Sequence, residues 1–204
     1  MIKSLAVLAL VAVLPFQERA RPGANKLEFL DTLKTVEASW RAEKYGACIK
    51  QLQDLTGLAT EKHAGAIRAA LPAAPAGYER VPQEKAQPNP FAGMMASMGS
   101  VIEARYHKSD GREIEVEIMA NSPMVQMLGM IFSNPVMMDA DAELVKYGAH
   151  KAILQKEDSR LELQILILEA HIVTVRWPDQ DDDALFAMWN QAAVDKLAAV
   201  LGGS

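Results

Sequence analysis

One cysteine, Cys48, in 204 residues leaves no partner for an internal disulfide. It lies in a helical stripe beside Ile49 and Leu52, where a thiol packs as a small hydrophobe, so burial is expected. A basic excess is also missing: 21 Lys and Arg stand against 26 Asp and Glu, a formal charge of −5. With residues 1–25 removed, 18 basic side chains face 25 acidic ones, a balance of −7. A nucleic acid or an anionic membrane surface needs a basic face, so neither is expected as the principal partner. No run reaches the roughly 18 consecutive apolar residues of a membrane span. Signatures of catalysis are missing as well. There is no Gly-x-Ser-x-Gly elbow and no glycine-rich phosphate loop. His63, His150 and His171 are scattered without metal-ligand spacing.

What is present begins with Lys3, an apolar stretch of about a dozen residues to Phe16, and the polar "QERARPGANK". Basic start, short apolar centre and polar exit are the pattern of a secretory signal. The expectation is therefore export to the periplasm or cell envelope, with residues 1–25 as the signal and no other membrane span. Residues 26–71 read as a helical hairpin. Leu27, Leu30, Leu33, Val36 and Trp40 recur every three or four positions behind Asn25 as a plausible N-cap, and the pattern restarts near Ala42–Ala47. Gly57 and Gly65 should loosen or break the second helix. Residues 72–99 are Pro- and Met-rich and read as a linker with one short strand at Gly77–Val81.

From Ser100 the period changes to two. "VIEARYHK" and "REIEVEIM" flank Ser109-Asp110-Gly111, a hairpin signal. A three-residue loop with Gly111 left-handed pairs Ile102 with Ile118, Ala104 with Val116 and Tyr106 with Ile114, and it sets Arg105 beside Glu115. A slip of one residue would exchange the core and solvent faces, so this register is preferred. Four further strands follow from residue 143 to 177. A closing amphipathic helix begins in "PDQDDD" and carries Leu185, Met188, Trp189, Ala192, Leu197, Val200 and Leu201. The expected fold is α+β: an antiparallel sheet with helices packed on one face over residues 100–204, preceded by the helical hairpin.

"ANSPMVQMLGMIFSNP", Ala120 to Pro135, is the candidate site. Ser122 caps and Pro123 opens a helix that Pro135 ends near residue 133. On its wheel Met124, Val125, Met127, Leu128, Met130, Ile131 and Phe132 span about 220°, whereas one sheet needs an apolar arc of only about 100° or somewhat more. Packing from two sides would use that surplus, the second cover being the helical hairpin. Alternatively, Met124, Met127, Met130 and Phe132, with Met94, Met95 and Met98, line a surface for an apolar small molecule or an envelope protein, since thioethers adapt to many shapes. Copper handling by the same methionines is the runner-up, because thioethers favour Cu(I) and three-residue spacing lets two share an ion. A small hydrolase with an unrecognised site is a third reading. No catalytic residue, metal ligand or cofactor is assigned, and an enzyme is not expected. Asp179 to Asn190 begins like a calcium loop but has Ala184 at its sixth position and Asn190 at its twelfth, so helix capping explains its acids.

At "LPAAPAGYERV", "SVIEARY", "EIEVEIMANSPMVQMLGMIFSNP" and "WPDQDDDALFAMWNQAAVDKL" the chain resembles a group of uncharacterised exported bacterial proteins. They share a signal, a helical pair ending in Leu-Pro, a Gly-aromatic strand, and a Ser-Pro-Met-x-Gln helix closed by Ser-Asn-Pro. The resemblance covers most of residues 40–200 and implies an envelope location, with no activity. The order of elements is also similar to PsbP-like α+β domains, which are mostly binding or assembly modules, and that similarity rests on topology alone.

Overall fold

The computed structural model describes residues 24–82, 100–120, 125, 132, 141–157 and 159–203. They divide into two compact units, one ending at Thr60 and one beginning at Glu61. The first unit holds α1 (Ala24–Arg41) and the start of α2 (Tyr45–Ala70). Between them Glu43 takes a left-handed conformation (φ 57°), and Trp40 meets Tyr45 edge to face at 5.4 Å. Cys48 is a buried free thiol, as its stripe implied. The stripe expected to pack is turned outward: Leu27, Leu30, Leu33 and Trp40 are 40–65 % exposed, while Phe29, Thr32 and Val36 are half-buried.

The expected break in α2 does not occur; it runs unbroken through Gly57 and Gly65. Each glycine costs about 1 kcal/mol in a helix, but the far end of this helix is anchored. Ile67, Ala70 and Leu71 are buried in the core of the second unit, which begins inside α2, at Glu61.

In that unit β1 (Tyr78–Arg80), β2 (Ser100–Lys108), β3 (Glu113–Ala120), β4 (Ala142–Tyr147), β5 (His150–Glu157), β6 (Arg160–Ile167) and β7 (His171–Trp177) form one antiparallel sheet. Its order is β1-β2-β3-β7-β6-β5-β4. The short strand expected in the linker is thus an edge of this sheet. The β2–β3 register pairs Ile102 with Ile118, Ala104 with Val116, Tyr106 with Ile114 and Arg105 with Glu115, as expected, and Gly111 supplies the left-handed residue (φ 91°). Alternation then sends Ile114, Val116 and Ile118 to one face with Leu161, Leu163, Ile165, Val173 and Val175.

Two helices complete that core, α3 (Asp182–Met188) and α4 (Gln191–Leu201). The sequence suggested one helix, and angular arithmetic shows why it breaks. In a straight helix Leu185, Met188 and Trp189 would face about 180° away from Val194, Leu197, Ala198 and Leu201. All seven are buried, so the chain must turn between the two sets. Asn190 makes the turn: its backbone is extended, and its side chain accepts from Ala193 N at 3.1 Å to cap α4. Ala192, assigned to the apolar side of a single helix, is exposed as a result.

The β6–β7 turn is under backbone strain. Leu168 and Glu169 both sit at positive φ (52° and 55°), and Ala170 N donates to Ile167 O at 3.2 Å. Left-handed conformations cost ordinary residues about 1 kcal/mol or more. Two opposite exchanges should both stabilise. Glu169→Gly relieves the turn, and Gly65→Ala fills a helical site where a Cβ meets nothing within 4 Å. Each is expected to add about 0.5–1 kcal/mol, read as a higher urea midpoint. No gain from Gly65→Ala would mean that the packing of α2 needs the bare backbone there.

Candidate functional site

The residues that carry the opposite face of the sheet alternate with the core set. Met119, Ile153 and Leu166 each lie between residues of the first cluster, and Ile172 precedes Val173 of it, so they project from the reverse side. Val125 and Phe132, both helical, pack among them and are 0 and 4 % exposed. These two residues therefore rest on the reverse face. Phe132, expected on the ligand side, is one of them. Met94, Met95, Met98, Met124, Met127 and Met130, like Ser122, Pro123 and Pro135, lie outside the described residues.

The seat ends abruptly along the strands. Met119, Ile172 and Leu166 form one cross-strand row, Glu117, Thr174 and Gln164 the next, and Glu115, Arg176 and Glu162 the one after. The reverse face thus passes from apolar to polar to charged in two-residue steps. From the last row Arg176 gathers its neighbours Glu115 at 3.4 Å and Glu162 at 3.3 Å, and reaches Glu117 of the middle row at 3.8 Å. Arg105 meets Glu113 at 3.5 Å. The glutamate ladder of β3 is a paired, part-exposed surface, as alternation implied.

The seat had a signal in the sequence. "AIL" (152–154) and "ILI" (165–167) break strict alternation, and an unbroken apolar run marks a strand covered on both sides.

The acidic loop after β7 does structural work. Asp179 accepts two hydrogen bonds of 2.7 Å from Arg112 Nη1. Asp181 caps α3 by accepting from Ala184 N at 3.0 Å, and Asp182 pairs with Lys156 at 2.5 Å. Among the described residues no group of three or more His, Cys, Asp or Glu could hold a metal ion.

His171 opens β7 on the core face, 3 % exposed, with no hydrogen-bond partner at Nδ1. His63 lies near enough to act on it, and His63 Nε2 is 3.3 Å from the Val200 carbonyl. Burial, and secondarily the charge of His63, push the His171 pKa below its usual value. The unfolded chain therefore takes up the proton first. The stability contributed by the neutral ring is complete above about pH 6.5 and is lost as pH falls below it. Urea midpoints between about pH 8 and pH 5 should drop for the wild type and drop less for His171→Phe. Parallel curves for the two proteins would show that His171 keeps an ordinary pKa.

Among the described residues no helix is long and apolar enough to cross a membrane. Comparison of the chain with known protein families, with curated proteins and with solved structures gives no match.

Proposed function

We propose that this protein is an exported, non-catalytic binding or assembly module of the bacterial cell envelope, and that its Met-rich segment takes an apolar small molecule or a partner protein. The observation that supports this reading is the seat on the reverse face, which holds Val125 and Phe132. These two lie seven positions apart, and at about 100° per residue they share nearly one direction. On the wheel expected from the sequence, Met127 and Met130 fall roughly 150° from that direction and Met124 roughly 90°. One seat therefore accounts for Val125 and Phe132 and leaves the thioethers over. Unbranched and polarisable, they suit a surface that adapts to its ligand. Export rests on the basic and apolar start at Lys3, and the acidic balance of the rest of the chain favours a ligand held by apolar contact.

Controlled oxidation of the purified protein, read methionine by methionine by mass spectrometry, tests the reading. Met188, 8 % exposed in the core, is the internal standard. Met127 and Met130 should oxidise well before Met188 while the fold persists, and an apolar lipid extract should protect them. If they resist for as long as Met188, the segment is core and the binding surface is lost. Protection by Cu(I) but not by the extract transfers the site to the runner-up, soft-metal handling.

A further inference from the structure

A cleft of about 550 Å³ opens at the β1 edge of the sheet, between the last turn of α2 and strands β1 and β2. Among the described residues, three guanidinium groups line it, Arg68, Arg80 and Arg105, against one carboxylate, Glu103. That is a local excess of positive charge in a chain of net charge −5. The three arginines differ in what already holds them. Arg105 is tied to Glu103 at 3.8 Å and Glu113 at 3.5 Å. Arg80 lies over the ring of Tyr106, 5.9 Å from its centroid, and among the described residues it has no carboxylate partner. Tyr106 is itself fully buried and donates to Pro72 O at 2.9 Å, so the platform under Arg80 is rigid. Arg68 has its Nε buried without a hydrogen-bond partner. A fourth cation stands beside them: Lys196 Nζ donates to the carbonyl of Ala69, another lining residue, at 3.3 Å.

A buried guanidinium N–H left unpaired costs free energy, more than a neutral donor would. Such a group is understandable where a ligand supplies the missing acceptor. The chemistry that fits is an oxyanion, since the planar fork of arginine matches the two oxygens of a carboxylate or phosphate. The other described residues of the wall offer carbon: Ala69, Val81, Pro82 and Ala104. We propose that this cleft binds a small organic anion, its carboxylate or phosphate held by Arg68 and Arg80 and its apolar portion laid against Val81, Pro82 and Ala104. The proposal rests on these described residues alone and stands or falls without the reading of the Met-rich segment.

Titration calorimetry on the full chain, with decanoate, dodecyl phosphate, inorganic phosphate and decanol as probes, tests the assignment. One or both amphiphilic anions should bind, more tightly than inorganic phosphate and more weakly in high salt. Arg80→Gln, on an exposed side chain, should weaken that binding about tenfold or more, and Arg80→Lys by less, because the charge remains while the fork is lost. Arg68→Gln should do the same, with circular dichroism confirming that the chain is folded. Decanol reports apolar binding elsewhere, including at the Met-rich segment, and should not respond to either arginine. The proposal is overturned if neither anion binds, if binding is unchanged in Arg80→Gln, or if inorganic phosphate binds as tightly as dodecyl phosphate. Preference between decanoate and dodecyl phosphate identifies the headgroup.

Discussion

Six residue pairs from Glu115–Arg176 to Ala120–His171 join β3 to β7, and the second unit depends on them. On one side of this ladder stand three strands in sequence order, and on the other stand four. Each set alone is a meander with an exposed edge, and unpaired edges invite wrong partners. Joining them makes one core face, on which Val116 lies beside Val175 and Ile118 beside Val173. The pairing brings together parts of the chain far apart in sequence, so its loop-closure entropy must be met before the core repays it. Local hairpins such as β2–β3 carry no such cost. The physical expectation is that they form early and that this ladder closes the fold.

The same ladder sets the chemistry of the reverse face. It places Met119 beside Ile172, and two rows on it places Glu115 beside Arg176. An apolar seat and a paired charge lattice thus share one surface without mixing. Where Val125 and Phe132 press on carbon, no polar group has to be desolvated. Where glutamates would repel each other across neighbouring strands, Arg176 stands between them. Part-exposed ion pairs of this kind contribute little stability.

Much of this was readable because local rules decide it. The register of β2 and β3 follows from which slip puts Ile114, Val116 and Ile118 inside, and one residue of error would have placed Glu113, Glu115 and Glu117 there instead. The break at Asn190 was also open to arithmetic, since Leu185 and Val194 cannot face one sheet from one straight helix. It was hidden because "DALFAMWNQAAVDKL" is rich enough in apolar residues to suggest a face at Ala192 that tertiary packing does not use. The outward turn of Leu27, Leu30 and Trp40 was not readable. Periodicity gives the direction of a stripe but not whether anything meets it. The cleft was least readable of all. Arg68, Arg80 and Arg105 belong to a helix, an edge strand and the strand beside it, and no spacing in the sequence connects them.

Net charge had argued against anionic partners, and the cleft shows how far that argument reaches. A formal charge of −5 describes the chain as a whole, and it opposes polymers and membranes that must meet many surface charges at once. A small anion samples only what lies within about one Debye length, roughly 8 Å at physiological salt. Inside that radius the guanidinium groups that line the cleft outweigh carboxylates elsewhere on the surface. An acidic exterior with a basic recess thus admits small anions and turns large ones away. Selectivity by size then follows from the charge distribution itself and needs no lid or gate.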